Sequence, residues 1–346
     1  MKSDKKIALL FGASVLLIGG CGPSPEEIAT MTAAAWTPTP IPSATPTPIP
    51  YDLTVTIQDE SGAPLPGTTL VYPASGSETP VVTDDQGVYK WTNLPREGVN
   101  LEISAPGYFP QTVTQAMSRG ANDIAVTLVR DPFGLTLAEA CASGEKLLYI
   151  EDFQDGKAQG FQNITAATDF NAVNGWALGP LEEGNQVVSF TGVNENGDAL
   201  ADYTFENAVW RIKVRTTGKD GFSFLNWHFL QNPEGGSRYV VQWGADVLTD
   251  LSRLQMPTPG HFSVAPSRHK VIPDTWTLVE FSAYNDLIEV WVDGEQVAAY
   301  QDPQPLPTGS LGLEAHIFND PNTVYYFDNL AVCELSAPFQ SILPAP

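Results

Sequence analysis

Histidine and cysteine are scarce in this chain, four and three in 346 residues. His228, His261, His269 and His316 form no His-x-x-x-His, and no Cys-x-x-Cys is present, so a zinc site has no support in the sequence. No Gly-x-Ser-x-Gly elbow and no phosphate loop is present either, which removes the commonest serine-hydrolase and nucleotide chemistries. Positive charge is thin, with 17 basic residues against 40 acidic ones, and such a surface repels nucleic acid and anionic lipid headgroups. From Tyr51 onward no long helical period exists. A single apolar run, inside the first twenty residues, is too short to span a bilayer comfortably.

That run is the first positive feature. Lys2, Lys5 and Lys6 precede "IALLFGASVLLIGG", the layout of an export signal. Residues Leu17 to Cys21, "LIGGC", resemble the lipobox of bacterial lipoproteins, whose cysteine receives a diacylglycerol before cleavage. The resemblance implies removal of residues 1–20 and acylation of Cys21. It also implies an extracytoplasmic protein held at the bacterial cell membrane by lipid, since two or more acyl chains anchor stably. Without residues 1–20 the chain keeps 14 basic and 39 acidic residues.

Behind Cys21, Ser24, Pro25 and Glu27 occupy the cap, first-turn and capping-box positions of a short helix. Residues 37–50, "TPTPIPSATPTPIP", hold six prolines and four threonines and favour an extended stalk of roughly 40 Å. Residues 21–50 are therefore expected to anchor the chain and lift its remaining residues away from the membrane. The remainder is expected to be all-β, because short alternating segments separated by turn residues fill it.

Two units divide near residue 131. In the first, "DESGAPLPGTTL", "TDDQGVYKWTNLP" and "APGYFP" resemble the carboxypeptidase regulatory-like domain over residues 51–130. The resemblance implies a small transthyretin-like (Ig-like) β-sandwich of about seven strands, an accessory module with no nucleophile beside a base. Asp84 and Asp85 suit either a cation or, as aspartates before a hairpin glycine commonly do, the turn backbone.

After a linker at 131–144, residues 145–336 carry six of the eight tryptophans, at 176, 210, 227, 243, 276 and 291, most with apolar neighbours two residues away. About a dozen strands are expected, with Asp293-Gly294 at the turn of a clear hairpin. "EDFQDGKAQGF", "WTLVEFSAYNDLIEVWVDG", "GSLGLEAH" and "VYYFDNLAVCEL", in that order, resemble concanavalin A-like jelly rolls, the lectin/glucanase and laminin-G group that includes the keto-disaccharide hydrolase domain. Residues 337–346 are a tail. The glutamate pair of laminarinase-type members, spaced so that nucleophile and acid sit about 5 Å apart, has no counterpart here.

Strand parity proposes a binding face. Arg211, Asn226, His228, Gln242, Trp291 and His316 all alternate with apolar neighbours, and on one concave sheet they would bridge sugar hydroxyls while Trp291 stacks on the ring. The alternative is a merely solvated outer face. From the jelly-roll resemblance come two further expectations: a disulfide between Cys141 and Cys333, and a structural calcium ion held by Glu151, Asp152 and Asp328. Three functions stay open: a tethered non-catalytic carbohydrate binder, a keto-disaccharide-type hydrolase or lyase using His228 or Glu314, and a structural envelope protein.

Overall fold

The computed structural model describes residues 49–346 except 73–78, 95–97, 162–174, 182–183, 194, 201, 219–222, 233–235, 245–249, 256–257, 268 and 345–346. The expected export signal, Cys21, the helix behind it and nearly all of the stalk lie outside the described residues. No helix among the described residues is long and apolar enough to cross a membrane.

The first sandwich uses seven strands: β1 (Tyr51–Gln58), β2 (Thr69–Val71), β3 (Val81–Val82), β4 (Val88–Leu94), β5 (Gly98–Ser104), β6 (Gln111–Ala116) and β7 (Gly120–Thr127). In β1 every second residue, Tyr51, Leu53, Val55 and Ile57, is buried, as a strand with one face on a core requires. β4-β1-β7 form one sheet and β3-β2-β5-β6 the other. Between them pack Leu70, Val99, Leu101 and Ile103 with the β1 set. Asp84 is committed to its turn, accepting hydrogen bonds at 2.9 Å from the backbone N–H groups of Gln86 and Val88. Gly87 is required there, since its φ is +69° and a Cβ would stand 2.4 Å from the Ile57 carbonyl oxygen.

Within the linker, Thr136 and Glu139 close a capping box over a single turn, α1 (Leu137–Ala140). The second sandwich then follows as fourteen strands. They are β8 (Lys146–Glu151), β9 (Trp176–Pro180), β10 (Gln186–Thr191), β11 (Glu195–Ala199), β12 (Ala208–Thr216), β13 (Phe224–Gln231) and β14 (Arg238–Trp243). After these come β15 (Asp250–Gln255), β16 (Thr258–Pro266), β17 (Thr277–Tyr284), β18 (Leu287–Val292), β19 (Glu295–Gln301), β20 (Ser310–His316) and β21 (Val324–Glu334). An eight-stranded sheet runs β19-β18-β17-β12-β21-β10-β9 with β8 also on β21, and a six-stranded sheet runs β11-β20-β13-β14-β15-β16. The β18–β19 hairpin turns at Asp293-Gly294, whose φ angles of 48° and 85° are those of a type I′ turn.

Aromatic rings join the two sheets. Phe281 of β17 lies 5.7 Å from Trp210, 5.9 Å from Trp227 and 4.9 Å from Phe229, so one ring contacts both layers. Trp176 and Trp243 are buried in the same core. Cys141 and Cys333 are disulfide-bonded with Cα atoms 5.8 Å apart, as expected, and the bond ties the linker to the last strand. The chain after β21 returns over the outer face of the eight-stranded sheet, where Leu335 and Phe339 pack on Val209 and Cys333.

Candidate functional site

Parity within the six-stranded sheet sends Leu225, Trp227 and Phe229 of β13 into the core and turns Asn226 and His228 outward. In β20 the core takes Leu311, Leu313 and Ala315, leaving Gly312, Glu314 and His316 on the outer side. Register sets Asn226 opposite Glu314 and His228 opposite Gly312, while β11 places Glu195 opposite His316. A Cβ at Gly312 would stand 2.5 Å from Gln231 Oε1 and 3.4 Å from His228 Cβ, so the glycine leaves room for the imidazole.

Glu314 is the hub. Its Oε2 lies 3.0 Å from His228 Nε2 and accepts a 3.1 Å hydrogen bond from Asn226 Nδ2, and its Oε1 lies 3.3 Å from His316 Nε2. His316 Nδ1 faces Glu195 Oε2 at 3.4 Å. Hydrogen bonding from His228 holds the Glu314 carboxyl well below the usual carboxylate range, with Asn226 and His316 adding to it against the opposing effect of burial. Asn226 is 7% exposed, yet its Oδ1 has no hydrogen-bond partner among the described residues. Phe224 stacks on His316 at 4.5 Å, and Phe318, 47% exposed, extends that aromatic edge. Gln242, half-buried, pairs with Asn226 from the β14 side.

Of the six residues expected on one face, the structure brings together Asn226, His228, Gln242 and His316. It separates Arg211 and Trp291, which belong to the other sheet. Arg211 is buried beneath the linker, donating from Nη1 and Nη2 to Glu145 at 2.6 and 2.9 Å, from Nε to Glu280 at 2.9 Å and from Nη1 to the Ala140 carbonyl at 3.1 Å. Trp291 is packed under the tail, 5.8 Å from Phe339. The physical reason is that a period of two fixes which face of its own sheet a residue occupies but not which sheet its strand joins.

The three carboxylates expected to hold calcium do not form one ligand set among the described residues. Adjacent residues of a strand point to opposite sides, and Tyr149 packs in the core while Ile150 packs outside it. Glu151 accordingly shares the inner side, accepting from the backbone N–H groups of Phe153 and Gln159 at 2.8 and 2.7 Å. Asp152 caps the Leu135 N–H at 3.0 Å, and Asp328 accepts from Asn185 Nδ2 at 3.0 Å. Glu195 and Phe318, both part of the Glu314 site, were not legible: "ENGDA" has little strand propensity, and Phe318 lies past the end of β20.

Two comparisons with known proteins bear on the chain. Residues 52–129 match the carboxypeptidase regulatory-like domain. No curated protein matches the chain in sequence. The second sandwich is similar to carbohydrate-binding modules and jelly-roll glycoside hydrolase domains. One is the carbohydrate-binding module CBM66 from Bacillus subtilis, at 12% identity over 50% of this chain and 94% of that one, with a TM-score of 0.38. Another is domain 4 of an extracellular arabinanase from Geobacillus stearothermophilus, in complex with arabinotriose, at 16% identity over 55% and 93% with a TM-score of 0.39. A third is a family 16 endo-glucanase from Bacteroides ovatus, at 8% identity over 54% and 100% with a TM-score of 0.41.

Proposed function

We propose that this chain is a lipid-anchored extracytoplasmic protein whose second sandwich binds carbohydrate, without cleaving it, on the outer face of the six-stranded sheet around Glu314. The observation that carries the reading is the convergence of Asn226, His228 and His316 on one carboxylate, with the Asn226 carbonyl oxygen unpartnered among the described residues. Buried polar groups are normally hydrogen-bonded. A sugar hydroxyl supplies the missing donor to Asn226 and accepts from imidazole or amide, while Phe318 at the edge offers an aromatic surface to the C–H face of a ring. A net excess of acidic residues excludes nucleic acid as the occupant.

Affinity electrophoresis against a polysaccharide panel tests this. Glu314→Gln and His228→Ala should each remove retardation on the retained glycan while leaving the melting temperature nearly unchanged; retention by both variants would place the ligand elsewhere. Cys21→Ala should abolish detergent-phase partitioning if the anchor reading holds.

A second reading, hydrolase or lyase, is favoured by the 3.0 Å approach of His228 to Glu314. The lowered carboxyl counts against it as a general acid, which needs a raised one. Release of reducing ends or unsaturated sugars from the retained glycan, lost in Glu314→Gln, would establish the enzyme.

A further inference from the structure

A half-open cavity lies away from the Glu314 face. It measures about 570 Å³ and is bounded by the outer face of the eight-stranded sheet, the linker with α1, and the returning tail at Ile342 and Leu343. That is a size suited to small ligands. Its walls are held by built features: the tail is pinned through Glu280, which accepts hydrogen bonds from the Ser341 hydroxyl and the Ile342 N–H, and Arg211 bridges Glu280 to Glu145, just after the linker.

Seven polar or charged side chains line the cavity, and four are spoken for within its wall: Arg130 pairs with Glu139 at 3.0 Å, Arg211 with Glu145 and Glu280, and Asn185 donates to Asp328, which leaves Lys213, Asp328 and Asn329 to meet a ligand. Lys213 of β12 and Asp328 of β21 are cross-strand neighbours, and both line it. Asn329 follows with φ 52°, the left-handed conformation that asparagine tolerates better than most residues, at an irregularity in the β12–β21 pairing. Its side chain is 9% exposed, and its Oδ1 has no hydrogen-bond partner among the described residues. Trp276, half-exposed, lines the rim, and Phe133 and Leu278 contribute apolar wall.

The charge pattern selects the occupant. An ammonium ligand that donated to Asn329 would meet the Lys213 ammonium. An anion that paired with Lys213 would meet the Asp328 carboxylate. A neutral vicinal diol satisfies all three at once, donating to Asn329 Oδ1 and to Asp328 while accepting from Lys213, and the C–H face of its ring suits the Trp276 indole. We propose that this cavity is a second carbohydrate site, distinct from the Glu314 face, that takes a neutral mono- or disaccharide through a vicinal diol.

The test titrates the full chain in detergent with the methyl glycosides of glucose, galactose, mannose and arabinose, with acetate and methylammonium as charged controls. A methyl glycoside should bind, Lys213→Ala and Trp276→Ala should each weaken it by about tenfold, the loss of one good contact, and His228→Ala should leave it unchanged. Lys213 is exposed, so Lys213→Ala remains informative even where Trp276→Ala disturbs packing. The proposal is overturned if no glycoside binds, if acetate or methylammonium binds in its place, or if binding is lost in His228→Ala and kept in Lys213→Ala. Polysaccharide retention by the Glu314 face is read separately, so either site can fail without the other.

Discussion

Arg211→Met is the perturbation that separates the structural placement of Arg211 from a ligand-binding one. The guanidinium makes four hydrogen bonds, three of them to carboxylates whose own side chains are 8% exposed at Glu145 and 0% at Glu280. Removing it leaves two buried acids facing one another without their shared cation. Breaking a buried pair in this way costs about 3–5 kcal/mol. For a sandwich of this size each kcal/mol moves the melting temperature by about 2–4 °C, so a fall of about 10 °C is expected. The triple variant Arg211→Met, Glu145→Gln, Glu280→Gln should recover more than half of that loss, because the penalty lies in the unpaired charges rather than in the missing contacts. Calorimetry at neutral pH reads the stability, and affinity electrophoresis run alongside should show glycan retention unchanged at temperatures where the variant is folded. A shift under 3 °C would refute the energetic argument, and normal stability with lost retention would put Arg211 on the ligand.

Phe281→Ala empties a ring that contacts both sheets and should cost about 3–5 kcal/mol in chemical denaturation, far more than truncating a surface aromatic; a loss below 1 kcal/mol would mean the layers close without it. The Cys141–Cys333 bond closes a separation of 192 residues, so on the chain-entropy model Cys333→Ser should lose about 5 kcal/mol at most, and a thiol titration of the unreduced protein should find neither cysteine free. Burial pushes the carboxyls of Glu151 and Asp328 up to about 7. A raised carboxyl contributes its full stability below about pH 4 and loses it as the pH climbs through 7, so the protein should melt lower at pH 8 than at pH 5.5, with Asp328→Asn flattening the slope. A melting temperature that rises steadily over that interval would contradict the assignment.

Alternation made most of the fold legible. "DLTVTIQ" and "VNLEIS" announce their buried residues by spacing alone, and Asp293-Gly294 announces a hairpin because two consecutive positive φ angles favour that pair. The same logic found Asn226, His228, Gln242 and His316. It failed at Arg211 and Trp291 because polar and aromatic residues on an outer face look alike whether solvent, a ligand or another part of the chain covers them. What covers these two is the tail around Phe339 and the end of the linker from Ala140 to the adjoining Glu145, segments with no strand period to announce where they dock. The cavity was illegible for the same reason: its walls are the linker, the tail and the outer face of the eight-stranded sheet, segments far apart in the sequence.

The clasp at Cys141 and Cys333 also decides how the molecule carries tension. A pull applied between the chain upstream of Cys141 and the end of the tail travels through the two sulfurs and leaves β8 to β20 out of the load path. The sandwich then hangs as a closed loop beside a taut thread, and its 192 residues, worth roughly 650 Å of extended chain, stay unspooled. Only a reductant places the domain in series with the force, so its extensibility is set by the redox state of its surroundings and not by the strength of its sheets.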